Sequence, residues 1–288
     1  MKKLLTTALL ALTAALTAGA QSRTEVYTFP SEVLGAEKSC TVYLPDGYDR
    51  SQESYPVLYL LHGHADDNTA WIRKSDLELL VRDHDLIVVM PSAHRSFYTN
   101  GRYGHLYFDY ITKELPVIVG NFFPASARRE DTYIGGLSMG GYGALKAALS
   151  CPEQYAGVAA MSAANSPFGA MKAAGAMFSV PDFMDNVYRI FGDEAEYKGS
   201  KEDLEYLAKQ AASSAGSGLK IYHSCGKQDP LYGLNVEFKQ FMETNCPELD
   251  YHYCECEGNH NWGFWNPQLK CILEYFGLIP ASREKSGT

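Results

Sequence analysis

Gly136-Leu137-Ser138-Met139-Gly140 follows the apolar run Thr132-Tyr133-Ile134 and leads straight into Gly141-Tyr142-Gly143-Ala144-Leu145-Lys146-Ala147-Ala148-Leu149, a good helix former. A serine between two glycines, where a strand passes into a helix, reads as a sharp, strained turn that throws the side chain outward at the top of a sheet. Glycine flanks it because a Cβ at 136 or 140 would clash. Ser138 is therefore a candidate nucleophile. The plainer reading of the same match is a glycine-rich turn that only packs helix on sheet.

On the N-terminal side, Val26-Tyr27-Thr28-Phe29 and Thr41-Val42-Tyr43-Leu44 are β-rich, and Pro45-Asp46-Gly47 ends the second run in a turn, so an antiparallel hairpin is expected. Pro56-Val57-Leu58-Tyr59-Leu60-Leu61 and Leu86-Ile87-Val88-Val89-Met90 are continuous apolar runs, the pattern of strands buried on both faces. Residues 76–81 between them read as helix. Tyr107, Ile111, Leu115 and Ile118 fall at helical spacing, with Pro116 expected to bend or divide the segment.

C-terminal to the turn, strands are expected at Gly157-Val158-Ala159-Ala160-Met161, at residues 219–224 and at Tyr251-His252-Tyr253-Cys254. Helices are expected at 231–242 and 266–276, the last closed by Gly277. Strands alternating with helices imply an α/β fold with a mostly parallel central sheet and helices on both faces. One domain covers residues 21–280. Residues 165–217 break the rhythm with Met171, Met177, Phe178, Phe183, Met184, Tyr188 and Phe191, followed by an amphipathic helix through Leu204, Leu207, Ala208 and Ala211. They form either a helical cap over the carboxyl edge of the sheet, where sites of such folds lie, or an ordinary pair of packing helices.

A serine hydroxyl needs an imidazole to take its proton and a carboxylate to hold that imidazole in the right tautomer. In α/β-hydrolases the three follow in the order Ser, acid, His, each after a strand. Asp229, in Gly226-Lys227-Gln228-Asp229-Pro230, follows the strand ending at Ser224, and His260, in Gly258-Asn259-His260-Asn261, follows the last one. Capping of the next helix is the other role open to Asp229. The remaining seven histidines precede Ser138 or lie inside strands. Two N–H donors are needed for the oxyanion of a tetrahedral intermediate. One is expected from Met139, and the other from His64 or Gly63 in the loop after Leu61.

Residues 1–20 have a basic start, Lys2-Lys3, an apolar core over 4–16 and Ala18-Gly19-Ala20, the form of a cleavable secretory signal. An exported, secreted or periplasmic location follows as an expectation, without insertion in a membrane. The formal charge of −9 becomes more negative once Lys2 and Lys3 are gone, which argues against nucleic acid as a partner. Seven cysteines, an odd number without framework spacing, read mostly as small buried side chains. Cys254, Cys256 and His260 lack metal-site spacing, so neither metal nor cofactor is expected. Residues 281–288 read as a flexible tail.

Four blocks carry a family likeness: Leu60-Leu61-His62-Gly63, Met90-Pro91 with Arg95-Ser96-Phe97-Tyr98-Thr99-Asn100, Gly135 through Ala144, and His260-Asn261-Trp262-Gly263-Phe264-Trp265. In these the chain resembles the carbohydrate esterase type of α/β-hydrolase, which includes feruloyl, acetylxylan and tributyrin-type esterases and S-formylglutathione hydrolases. The resemblance implies the α/β-hydrolase fold, Ser138, Asp229 and His260 as its triad, and a small-molecule or polysaccharide acyl ester, feruloyl or acetyl, as substrate. Acyl transfer, as in the similar mycolyltransferases, general short-chain ester hydrolysis and a catalytically silent glycan-binding module are the other functions weighed. The chain departs from many relatives at His64-Ala65-Asp66 and Ser92-Ala93-His94, where glycines are common, so a narrower or more polar acyl pocket is expected. His64, Phe97, Tyr98, Tyr103, Trp262 and Trp265 are the candidate substrate contacts, with core packing as the alternative for these aromatics.

Overall fold

The computed structural model describes residues 21–48, 54–174, 182–213 and 218–281. Eight strands form one sheet: β1 (Arg23–Ser31), β2 (Ala36–Leu44), β3 (Val57–Leu61), β4 (Ile87–Pro91), β5 (Thr132–Leu137), β6 (Gly157–Met161), β7 (Lys220–Gly226) and β8 (Asp250–Cys256). Their order across the sheet is β1-β2-β4-β3-β5-β6-β7-β8. β1 pairs antiparallel with β2, and β2 with β4, while every pairing from β4 through β8 is parallel. This is the α/β-hydrolase fold.

Every residue of β3, β4 and β6 is buried, because helices cover both faces of the parallel strands. The pleat splits each run between two cores. Val57, Tyr59 and Leu61 join one cluster with Ile134, Leu145 and Leu204, whereas Leu58 and Leu60 join the other with Trp71, Val88 and Leu269. The helix Met139–Ser150 lies under the first face with Met139 through Leu149 all buried. The helix Trp262–Tyr275 covers the second. β8 lies at the edge, so exposed and half-buried residues interleave along it.

One local reading is refined and two need correction. Pro116 stands where the segment divides by helix type: a helical turn at Tyr107–Asp109 passes through a π-helix at Tyr110–Glu114 into the helix Leu115–Phe122, with Pro116 in its first turn. Pro116 has no N–H to return to the preceding turn, and the ladder there shifts to longer bonds. The final helix begins at Trp262, four residues before the expected start, because the Asn261 side chain accepts the Gly263 N–H at 2.9 Å and caps it. Pro267 therefore lies inside the helix. Only Cys40, Cys225 and Cys246 of the seven cysteines are buried, and Cys256 on the edge strand and Cys271 are exposed.

The segment 165–217 folds into helices at Pro167–Ala174, Phe183–Phe191, Glu194–Tyr197 and Leu204–Ser213. It is anchored to the helix after β5 by a buried pair: Lys146 Nζ contacts Glu202 Oε2 and donates to Thr99 Oγ1 at 2.6 Å, and the Tyr142 hydroxyl donates to the Glu202 carbonyl at 2.6 Å. Met177 and Phe178, like the signal-type residues 1–20 and positions 282–288, lie outside the described residues. No helix among the described residues is long and apolar enough to cross a membrane.

Candidate active site

The carboxyl ends of β3, β4, β5, β7 and β8 converge on Ser138. Its backbone, at φ 54° and ψ −116°, is in a region that L-residues avoid, at a cost of order 1–3 kcal/mol. Two glycines permit the turn. A Cβ on Gly136 would lie 2.5 Å from the Gly140 backbone, and one on Gly140 would lie 2.5 Å from the Leu61 carbonyl oxygen. Backbone bonds from Ser138 N–H to the Met161 carbonyl (2.9 Å) and from Ala164 N–H to the Ser138 carbonyl (3.1 Å) hold the turn against the loop after β6.

His260 Nε2 lies 3.0 Å from Ser138 Oγ, and its Nδ1 lies 2.9 Å and 3.1 Å from the two oxygens of Asp229. A carboxylate only accepts, so Nδ1 carries the proton and the lone pair on Nε2 faces the serine hydroxyl. Asp229 is buried and also accepts the Leu231 N–H at 2.8 Å, which fixes its carboxylate at the head of the next helix. Trp265, 6 % exposed, packs edge-on against the His260 ring at 5.0 Å and donates from Nε1 to Ser162 Oγ at 3.1 Å. The arrangement can deprotonate a serine as it attacks a carbonyl.

The loop after β3 is fixed by His62. Its Nδ1–H donates to the Gly63 carbonyl at 2.7 Å, and its Nε2 accepts the Ala93 N–H at 3.0 Å, which joins this loop to the one after β4. Burial pushes the His62 imidazole below its usual range, in keeping with this neutral form. The Gly63 carbonyl also accepts the Asp66 N–H at 3.1 Å. In a trans peptide the N–H points opposite the carbonyl, so the His64 amide is aimed away from these donors. Met139 N–H, at the first position of its helix, has no intrahelical acceptor.

Two cavities share the wall formed by His64, Ala65 and Asp66. The smaller, about 160 Å³, contains Ser138 and His260 and is lined by Gly63, Phe97, Leu137 and Met139, with Phe183 and Ala170 from the 165–217 segment. The larger, about 730 Å³, runs past His94, Arg95, Tyr103 and Arg189. His64 lines both, with Phe183 edge-on to its ring at 4.9 Å. Burial pushes its imidazole down to about 4, helped by the nearby positive charge of Arg95. Asn186 Nδ2 donates to the Arg95 carbonyl at 2.8 Å, which sets the amide's orientation, and it also donates to His64 Nε2 at 3.3 Å. His64 is thereby neutral with its proton on Nδ1.

Four of the six aromatic positions expected to touch substrate line a cavity: His64, Phe97 and Trp265 the small one, Tyr103 the large one, and His64 both. Tyr98 and Trp262 line neither. Tyr98 is buried with its hydroxyl donating to the His62 carbonyl at 2.9 Å, and Trp262 packs edge-on against Trp71 at 4.9 Å. Ala170, Asn186 and Arg189 are lining residues that sequence reading did not select, because each reaches a cavity from a helix of the 165–217 segment, and Leu231, two residues after Asp229, is a fourth. No group of three or more His, Cys, Asp or Glu side chains among the described residues is disposed to hold a metal ion.

Comparison with known proteins fits this geometry. Residues 31–276 match the model of the Esterase family, described as "Putative esterase". An acetyl esterase of Caldicellulosiruptor saccharolyticus is 33% identical over 239 residues, covering 80% of this chain and 86% of the relative. Among solved structures, the substrate-bound fluorophosphonate-binding serine hydrolase FphF of Staphylococcus aureus superposes with a TM-score of 0.80 at 30% identity, covering 89% of this chain and 99% of that one. A ferulic acid esterase, at 23% identity and a TM-score of 0.75 over 90% of this chain and 99% of that one, shares the fold. The chain belongs to this esterase family and is a hydrolase of carboxylic esters.

Proposed function

We propose that the protein is an exported esterase that removes short acyl groups, acetyl foremost, from hydroxyl groups of plant polysaccharides through an acyl-enzyme on Ser138. The observation that carries the reading is the Ser138–His260–Asp229 chain of hydrogen bonds opening into a small apolar pocket. Ser138 Oγ attacks the ester carbonyl while its proton passes to His260 Nε2, and Asp229 stabilises the imidazolium that forms. The N–H groups of Met139 and His64 take the oxyanion. Collapse of the intermediate breaks the bond to the leaving oxygen, which receives the proton from Nε2. Water, deprotonated by the same nitrogen, then releases the acid.

Pocket size speaks for acetyl over hydroxycinnamoyl. At about 160 Å³ the cavity is well below the roughly 300–1,000 Å³ of pockets that hold drug-sized ligands. The acetyl esterase relative supports the same choice. The signal-type sequence of residues 1–20 is the support for export, and with it for an extracellular polysaccharide as substrate. Hydrolysis of 4-nitrophenyl acetate, methyl ferulate and acetylated xylan by wild type and Ser138→Ala tests the proposal. Activity on both acetyl esters, little on ferulate, and none in the variant is the expected result. Ferulate as the preferred ester would overturn the acyl assignment.

A further inference from the structure

We propose that the larger cavity is a subsite for a carboxylate on the leaving-group side of the ester, so that acidic alcohols or thiols are preferred over neutral ones. The inference rests on the esterase reading above and adds the class of leaving group.

The chain carries a formal charge of −9, yet this cavity is lined by Arg95, Arg189, His94 and His105. Asp66 is the carboxylate on its wall, and that group is already paired with Lys74. Arg189 makes no ion pair among the described residues, whereas Arg102 on the adjoining loop is matched to Glu196 at 2.7 Å. Behind the cavity wall, Lys38 is only 4 % exposed. Its ammonium donates to the Tyr107 hydroxyl at 3.2 Å and lies 5.0 Å from that ring, with no carboxylate partner among the described residues.

A buried ammonium without a counter-ion is costly, and it adds its field to a groove lined by two arginines. That field is felt locally: besides burial, Lys38 and His105 both disfavour protonation of His94. His94 is itself held at φ 49°, a strained conformation of the kind that clusters at ligand sites. A negative charge opposite Arg189 and Lys38 is what a ligand carboxylate would bring, and guanidinium groups recognise carboxylates through paired N–H donors. Because the cavity shares His64, Ala65 and Asp66 with the pocket that holds Ser138, a carboxylate here is joined to the part of the ester that leaves.

The test compares kcat/KM for matched acetyl esters at low ionic strength: methyl glucuronoside against methyl glucoside, and S-acetyl-3-mercaptopropionate against ethyl thioacetate. Wild type should favour at least one acidic member by about tenfold, and the double variant Arg95→Gln/Arg189→Gln should bring that ratio towards one. High salt should shrink it as well. Preference confined to the uronoside identifies a glycan ligand, and preference confined to the thioester identifies a thiol acid. Wild-type ratios near one in both pairs, or a preference unchanged in the double variant, would overturn the subsite while hydrolysis of 4-nitrophenyl acetate left the esterase reading standing. Wild type inert towards 4-nitrophenyl acetate would instead overturn the esterase reading.

Discussion

The two cavities that meet at His64 are built from opposite materials. One is small and walled by Phe97, Leu137, Met139, Phe183 and Trp265, and the other is several times larger and lined by arginine and histidine. The small one takes its reacting groups from loops that leave parallel strands, where the sheet holds Ser138, Asp229 and His260 in place. The large one adds to the shared loop after β3 the loop after β4 and the helix Phe183–Phe191. In the proposed reading, chemistry depends on the rigid scaffold, while recognition of the rest of the ester is left to surface loops and helices.

The sharpest way to break this division is at Asp229. Asp229→Asn would leave His260 in the wrong tautomer and should lower kcat for 4-nitrophenyl acetate by about 10⁴-fold. A loss of less than tenfold in steady-state kinetics would mean that the small pocket's hydrogen-bond chain does not drive the reaction. The attachment of the second region comes next. Lys146→Met strands Glu202 beneath the 165–217 segment and should cost about 3–5 kcal/mol in denaturant unfolding. An unchanged midpoint would mean that the segment is held by apolar packing alone.

The scaffold has its own acid sensitivity in His223, fully buried on β7. Asn235 donates from Nδ2 to the Ala163 and Leu231 carbonyls, so its oxygen accepts from His223 Nε2 at 2.6 Å, and the Tyr251 hydroxyl donates to Nδ1 at 2.6 Å. Burial pushes this imidazole from 6.5 down to about 4. Between those values the unfolded chain binds the proton and the folded chain does not, so stability falls as pH drops from 6.5 towards 4. The loss should be of order 3 kcal/mol, and His223→Gln should flatten the slope seen in unfolding curves across that range. An identical slope in the variant would assign the acid sensitivity to other groups.

The smallest effect sharpens the comparison at the wall itself. Phe183→Ala enlarges the acyl pocket without removing a cation from the groove. It should raise kcat/KM for butyrate relative to acetate esters by roughly 10–200-fold. A ratio unmoved by the change would mean that the acyl chain does not lie against Phe183.

Much of the scaffold is legible in the sequence because each signal is local. Continuous apolar runs such as residues 57–61 mark strands covered on both faces, and the order Ser138, Asp229, His260, each just after a strand, places three side chains at one edge of the sheet. The rest depends on contacts that no local pattern encodes. Tyr98 and Trp262 have the same aromatic character as Phe97 and Trp265, and only the packed structure separates those facing a cavity from those turned into the protein. His62 reads as part of a common motif, although its ring ties two loops together. The groove's two arginines come from positions 95 and 189, too far apart for charge patterning to reveal.

The central claim is that one serine carries the reaction, and covalent labelling tests it most directly. Wild type and Ser138→Ala would be treated with phenylmethylsulfonyl fluoride and the adduct located by peptide mass spectrometry. The account predicts a single adduct on Ser138 with complete loss of ester hydrolysis, and neither labelling nor activity in the folded alanine variant. An adduct on another residue, or an alanine variant as active as wild type, would contradict it.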